Sequence, residues 1–259
     1  MIDISIKDLV GQLTMARPEA RNALGPELVG ALAKGLDRLE ADSAVRVVVL
    51  TSSSAVFSAG ADLSSMKSQG AQDPEANRRN ALEMGGLFHR IYEFPKPVVA
   101  RVPGPAIGGG VGLMAACDIV VAAESAFFSF SEVRLGIVPA LISPFCIRRL
   151  GASAARRLFL TGEKVTAKAA AALGLVDEAV PDAELDAAVA RVADSLLQGA
   201  PGALATAKRL VADVSSLSLA DALPYTADVL ARARSSDEAR EGIGAFLEKR
   251  PASWRPRRG

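Results

Sequence analysis

The strongest constraint on the fold is one unbroken apolar run, Val47-Val48-Val49-Leu50, within residues 45–51. Side chains alternate between the two faces of a strand, so a run without polar alternation predicts a strand covered on both faces, as in parallel sheets of α/β proteins. Apolar runs predict three further strands, over residues 9–15, 97–102 and 119–122. Other parts of the chain must therefore cover both faces of the sheet.

Helical patterns fill the stretches between these strands. Leucines recur every three or four residues after Pro26, a residue that suits the first turn of a helix, and a second pattern covers residues 74–94. Strands that alternate with helices predict an α/β fold. From about Ser195 onward the pattern is helical only, so we predict a core over residues 1–195 and a helical C-terminal region over residues 196–259.

Composition narrows the function classes. The 259 residues carry 30 Lys and Arg against 29 Asp and Glu, and this balance gives no broad electrostatic reason to bind nucleic acid or an anionic membrane. No secretory signal and no apolar run near the roughly 20 residues that span a bilayer is visible, so we expect a soluble cytoplasmic protein. One His and two Cys without zinc-ligand spacing predict no metal site.

Two glycine-containing loops follow predicted strands and could expose backbone N–H groups. The first, FSAGAD at residues 57–62, lets a ligand approach the backbone, but it also fits an ordinary turn in which Asp62 caps the next helix. The second, PGPAIGGGVG at residues 103–112, opens a helical segment, where free N–H groups favour a negative oxygen. It fits neither a Walker nor a dinucleotide-binding pattern, and close helix–sheet packing would explain part of its glycines.

A third candidate is Glu132, which lies among the apolar residues Phe130, Val133 and Leu135. Apolar surroundings raise the pKa of a carboxyl toward the range that is useful for acid–base chemistry. The alternative is structural, because Glu132 could pair with Arg134 or cap a helix.

Taken together and in order, these segments resemble the enoyl-CoA hydratase/isomerase (crotonase) superfamily. The matching stretches are RPEARNAL at 17–24, FSAGADL at 57–63, PAIGGGVGLMAACDIV at 105–120, SEVRLGIVP at 131–139, AARRLFLTG at 154–162, AALGLVD at 171–177 and GAFLEKR at 244–250. The resemblance implies a spiral of ββα units with a helical C-terminal extension used for trimerisation. It also implies an acyl-CoA thioester as substrate, no cofactor besides the coenzyme A of that substrate, and a homotrimer or a hexamer built from two trimers.

The resemblance also implies roles for individual residues. The amides of Ala61 and Gly109 would form an oxyanion hole for the enolate of the thioester, and Glu132 would handle the proton on the acyl α-carbon. The residues that would contact coenzyme A are Arg21, Ala23, Leu24, Ala59, Asp62, Gly108, Phe246 and Lys249. Of these, Arg21 matches a phosphate contact, and Phe246 and Lys249 match residues that reach the coenzyme of an adjacent subunit.

The sequence departs from the standard hydratase at two places. That enzyme uses two glutamates: Glu132 matches the one that handles the α-carbon proton, whereas Gly112 replaces the one that orients water. A glycine-rich turn is also replaced by Ala-Leu-Ile-Ser at residues 140–143. Three alternatives follow: a hydratase that works with one carboxyl, a 3-enoyl-CoA isomerase, or a scaffold that binds acyl-CoA without turning it over. The stretch SEVRLGIVPALISP is similar to hydratases of branched glutaconyl-CoA substrates, which favours the first alternative.

Overall fold

The computed structural model describes residues 1–70 and 73–256. The strands are β1 (Ile2–Lys7), β2 (Val10–Met15), β3 (Val47–Ser52), β4 (Val98–Val102), β5 (Ala106–Ile107), β6 (Ile119–Ala123), β7 (Phe127–Ser129), β8 (Lys164–Thr166) and β9 (Glu178–Val180). The helices are α1 (Pro26–Ala41), α2 (Leu63–Gly70), α3 (Pro74–Tyr92), α4 (Gly109–Ala115), α5 (Ser143–Thr161), α6 (Ala167–Ala172), α7 (Leu185–Leu197), α8 (Pro201–Val214), α9 (Leu219–Arg234) and α10 (Asp237–Leu247). Short 3₁₀ helices cover Pro18–Ala20, Ser131–Leu135 and Asp182–Glu184.

The strands form two sheets. The larger has the order β1-β2-β3-β4-β6-β9, in which β1 runs antiparallel to β2 and the other neighbours are parallel. The smaller has the order β5-β7-β8. The predicted α/β fold is confirmed, and the four predicted strands correspond to β2, β3, β4 and β6 with ends shifted by one or two residues.

The apolar run in β3 is buried on both faces, as its composition predicts. Val48 and Leu50 belong to the core cluster beneath α1, whereas Val47 and Val49 belong to a second cluster that includes Val189 and its neighbours on α7. Because alternate side chains point to opposite faces, two layers of helix cover this strand.

Two half-buried cations tie the C-terminal region to the rest of the chain. The ammonium of Lys208 on α8 lies 2.8 Å from Asp118, and Arg46 donates to the carbonyls of Gly199 (2.6 Å), Leu197 (3.2 Å) and Trp254. The division at residue 196 stays a prediction, and residues 257–259 of that region lie outside the described residues. No helix within the described ranges is long and apolar enough to cross a membrane.

Candidate active site

The FSAGAD loop is held in place by the segment that precedes α1. The Ala59 N–H donates to the Arg21 carbonyl (2.9 Å), the Leu24 N–H donates to the Gly60 carbonyl (2.7 Å), and the Asp62 N–H donates to the Leu24 carbonyl (3.2 Å). These bonds form a short parallel ladder. It brings together five of the residues predicted to contact coenzyme A: Arg21, Ala23, Leu24, Ala59 and Asp62.

On its other side, the same loop pairs with the glycine-rich loop. The Phe57 N–H donates to the Pro105 carbonyl and the Ile107 N–H donates to the Ser58 carbonyl, both at 3.0 Å. Gly60 has φ +89°, and a Cβ built there would lie 2.6 Å from the Ile107 carbonyl oxygen. Only glycine permits so close an approach between the two loops at this backbone angle.

This pairing places the Ala61 and Gly109 amides next to each other. A Cβ built on Gly109 would lie 3.7 Å from the Ala61 nitrogen. Within the described ranges neither N–H has a hydrogen-bond acceptor, and Gly109 is the first residue of α4, where an N–H has no acceptor inside the helix. Two free N–H groups this close can both donate to one oxygen placed between them.

The Glu132 carboxyl lies over the residue that precedes this amide. Gly108 has φ +49° and donates its N–H to the Ser129 carbonyl (2.8 Å), and a Cβ on Gly108 would lie 2.8 Å from Glu132 Oε1. Any larger residue at position 108 would push the carboxyl away. The predicted acid–base group and the predicted amide pair therefore share one location.

Glu132 is half-buried, with its inner carboxyl oxygen fully buried, and it forms no ion pair with any described residue. Its Oε2 atom has no hydrogen-bond partner among the described residues, and burial raises the pKa of the carboxyl. Arg134, the alternative partner considered from the sequence, instead donates to the Thr161 carbonyl (3.2 Å). An unpaired buried carboxyl is costly to stability, and such groups cluster at functional sites.

Gly112 is a glycine for a steric reason that the sequence did not reveal. A Cβ built on it would lie 2.0 Å from Cγ2 and 2.6 Å from Cβ of Ile142, whose side chain is 2% exposed. Ile142 therefore fills the space in which a side chain at position 112 would stand. The missing carboxyl at position 112 and the replaced turn at residues 140–143 are therefore linked by one contact, between Gly112 and Ile142.

Asn22 organises the loops, and sequence reasoning missed its role. It is fully buried with φ +50°; its amide nitrogen donates to Ser52 Oγ (2.7 Å) and the Phe57 carbonyl (3.2 Å), and its side-chain oxygen accepts from the Arg17 N–H (2.9 Å). Ser58 Oγ donates to the Asn22 carbonyl (2.8 Å). A polar residue that tolerates positive φ, inside a matching stretch, was the available signal.

The remaining predicted contacts have different surroundings. Asp62 caps the start of α2: its carboxylate accepts from the Ser64 and Ser65 N–H groups, and the Ser64 hydroxyl is the largest cause of its lowered pKa. Phe246 and Lys249 lie at the C-terminal end of α10, where the Phe246 ring is 81% exposed. Their contact with coenzyme A stays a prediction.

Two cavities bear on ligand binding. One of about 350 Å³ adjoins Leu24 and Asp62 and is lined largely by apolar side chains of α1–α3, such as Val29, Met84 and Leu87. A larger cleft of about 1790 Å³ lies between α8–α10 and the core. Glu132, Ala61 and Gly109 line neither cavity, but the smaller one reaches Leu24 and Asp62, which adjoin the loop that carries the Ala61 amide. No group of three or more His, Cys, Asp or Glu within residues 1–70 and 73–256 could hold a metal ion.

Proteins of similar sequence all indicate the same family. The family model described as enoyl-CoA hydratase/isomerase matches residues 5–257. The 2,3-dehydroadipyl-CoA hydratase of Escherichia coli is 34% identical, covering 98% of each chain. A Thermus thermophilus protein whose name provisionally assigns it to the enoyl-CoA hydratases is 43% identical, covering 90% of this chain and 92% of its own.

Solved structures give the same answer for the fold. An enoyl-CoA hydratase from Shewanella pealeana superposes with a TM-score of 0.94 at 35% identity, over 98% of this chain and 95% of that one. The relatives' names support an enzyme of the hydratase kind, and the resemblance drawn from the sequence is confirmed. The chain belongs to the enoyl-CoA hydratase/isomerase family of the crotonase superfamily.

Proposed function

We propose that this protein is an enoyl-CoA hydratase that adds water to a 2-enoyl-CoA thioester with one carboxyl, Glu132. The observation that carries the proposal is the buried Oε2 of Glu132, which has no partner among the described residues and lies beside two free amides. The branched or glutaconyl-type acyl group is the finer part of the proposal and rests on the resemblance of residues 131–144.

The proposed reaction needs two steps. The Ala61 and Gly109 N–H groups hold the thioester oxygen while the Glu132 carboxylate takes a proton from water, whose oxygen bonds to C3. The electron pair of the C2–C3 double bond moves to the thioester oxygen and gives an enolate. The protonated Glu132 then returns the proton to C2, so hydroxyl and hydrogen are both added. A raised pKa lets one carboxyl accept and donate a proton near neutral pH.

Ile142 favours a second candidate, a 3-enoyl-CoA isomerase. Because its side chain fills the space beside Gly112, no second carboxyl can stand there to orient water. An isomerase needs only one group, which removes a proton from C2 and returns it to C4 while the amide pair holds the same enolate. The two candidates share the enolate and the single carboxyl, and only the hydratase adds water to the product.

Product masses separate these candidates. The purified protein is incubated with 2-enoyl-, 3-enoyl- and 3-methylglutaconyl-CoA, and liquid chromatography with mass detection follows the esters. A product heavier by one water supports the hydratase; a changed retention time at unchanged mass supports the isomerase. Saturable binding without any product would support the non-catalytic scaffold instead.

Variants identify the residue responsible. We expect Glu132→Gln to lose about 10²–10⁴-fold in turnover while it still binds the CoA ester, since a positioned acid–base group contributes that much. Glu184→Gln, which changes an exposed carboxyl on a short 3₁₀ helix, is the matched control. Unchanged turnover in Glu132→Gln would remove Glu132 from the mechanism.

We also propose a homotrimer or a pair of trimers that binds acyl-CoA. Large apolar side chains are exposed on α8–α10, among them Leu219 (80%), Leu223 (65%) and Leu247 (74%). Exposed apolar groups in such number mark a surface that is covered in the assembly. Light scattering coupled to size exclusion measures the mass directly, and a monomer at micromolar concentration would contradict this assembly.

A further inference from the structure

We propose that Ile142 is a positioning residue of this site. Its side chain fills the space beside Gly112 and forms an apolar wall next to Glu132, which keeps water from the inner oxygen of that carboxyl and holds the site to a single carboxyl. This inference rests on the proposed acid–base role of Glu132. Its steric half can be tested without any activity.

Two contacts, one at Gly108 just before α4 and one at Gly112 within it, place the wall beside the carboxyl. A Cβ on Gly108 would meet Glu132 Oε1 at 2.8 Å, and a Cβ on Gly112 would meet Ile142 Cγ2 at 2.0 Å. The Gly112 N–H donates to the Gly108 carbonyl (3.1 Å), so these two positions are one turn apart. Glu132 and Ile142 therefore stand over the two ends of one hydrogen-bonded turn.

A second route through α5 leads to the same place. The Cys146 N–H donates to the Ile142 carbonyl (3.0 Å), so Cys146 lies one turn after Ile142. The thiol of Cys146 is buried, and the charge of Glu132 adds to the effect of burial in raising its pKa. Cys146 thus brings a neutral thiol near Glu132, one helical turn from Ile142.

Within the described part of the chain, the arginines around this wall have their hydrogen bonds elsewhere. Helix α4 carries no titratable side chain, and of the arginines near the start of α5, Arg149 turns to Asp177 (2.9 Å) and Arg148 to the Pro144 carbonyl (3.1 Å). Arg134, on the same 3₁₀ helix as Glu132, donates to Thr161. Desolvation is therefore the main influence on Glu132.

The steric half of the proposal is tested by unfolding in urea at one fixed protein concentration. Gly112→Ala places a methyl group against Ile142, so we expect a lower urea midpoint. In an Ile142→Gly background the nearest Ile142 atom is the Cα, at 3.5 Å, so Gly112→Ala should raise the midpoint by filling the space. Gly244→Ala on α10, where a Cβ meets nothing within 4 Å, is the control.

The outcome is decided by the sign of the Gly112→Ala effect in the two backgrounds. A reversal of sign supports the filled space. Equal shifts in both backgrounds would overturn it, and this result would not depend on what the enzyme catalyses.

The functional half is tested with a pair of nearly isosteric variants, Ile142→Val and Ile142→Thr. Both keep two branches on Cβ, but only Thr offers a hydroxyl to the carboxylate. We expect the acid limb of the kcat/KM profile to lie about one pH unit lower in Ile142→Thr than in Ile142→Val, since a hydrogen bond favours the charged form. At each pH, kcat/KM is measured from the exchange of oxygen with water or from the product mass, according to the activity found.

Glu132→Gln is measured in parallel, so that a failure of the proposed function can be told apart from a failure of the proposal for Ile142. Full activity in Glu132→Gln would overturn the proposed function. Inactive Glu132→Gln together with identical pH limbs in Ile142→Val and Ile142→Thr would overturn the role of Ile142 and leave the proposed function standing.

Discussion

Replacing Gly60 by Ala should separate the amide pair without removing either amide. The added Cβ would lie 2.6 Å from the Ile107 carbonyl oxygen and 3.4 Å from the Gly109 nitrogen. Real Cβ atoms do not approach within 3.0 Å of such an atom, so the two loops must open by about 0.4 Å or more at this point. Because the Ala61 and Gly109 amides belong to the two loops, this opening changes the distance between them.

The size of the effect follows from two contributions. A non-glycine residue in the left-handed region costs about 1–2 kcal/mol of stability. An oxyanion-hole donor that no longer reaches the developing charge costs about 2.7–4 kcal/mol, or roughly 10²–10³-fold in kcat. We therefore expect a stability loss of about 1–2 kcal/mol or more and a much larger relative loss of turnover.

Gly136→Ala is the matched control for backbone strain. Gly136 has φ +75°, close to that of Gly60, but a Cβ there meets nothing within 4 Å. Both variants should lose about 1–2 kcal/mol to backbone strain, and Gly60→Ala should lose more because its two loops must also separate. Only Gly60→Ala should lose about 10²–10³-fold in kcat. A kcat for Gly60→Ala within about tenfold of that for Gly136→Ala would refute the argument that the amides act as a pair.

Three further predictions concern stability and reactivity. Asn22→Ala removes several buried hydrogen bonds and should lower the free energy of unfolding by about 1–3 kcal/mol for each group left unpaired, measured in urea. The raised pKa of Glu132 means that the folded state binds more protons than the unfolded state, so stability falls as pH rises from the unfolded carboxyl pKa through the folded one. Glu132→Gln should therefore stabilise the protein more at mildly alkaline than at acidic pH. An equal gain at both pH values would contradict this. The Cys117 thiol, whose pKa burial raises to about 12, should resist iodoacetamide until urea unfolds the chain, as mass spectrometry would show.

The sequence predicted the parts of the fold that depend on strong local patterns. The run in β3 has no polar residue, so burial on both faces follows from the alternation of side chains alone. In α1, the leucines at helical spacing are all buried: Leu28, Leu32, Leu36 and Leu39. These elements bury apolar surface wherever the rest of the chain lies, and a local pattern is enough to find them.

Weak patterns concealed the remaining strands. In β1, most residues are exposed, and β5 and β7–β9 have only two or three residues each. Such short segments are strands only because a neighbour supplies hydrogen bonds, as Ile107 and Ser129 do by pairing across β5 and β7. Pairing of this kind is a property of the tertiary structure, which no window of sequence contains.

The site shows the same limit more sharply. In the sequence, Gly112 shows only that a carboxyl is missing, and Ile142 is one apolar residue in an altered turn. Neither residue by itself predicts that the two are in contact. The structure brings them into contact across 30 residues of chain, with 2.0 Å between Ile142 Cγ2 and the place of a Cβ on Gly112. Restoring a glutamate at position 112 alone would therefore place a side chain where Ile142 already stands. A variant with a carboxyl at position 112 therefore needs a smaller residue at position 142 as well, and the effects of the two changes should be strongly non-additive.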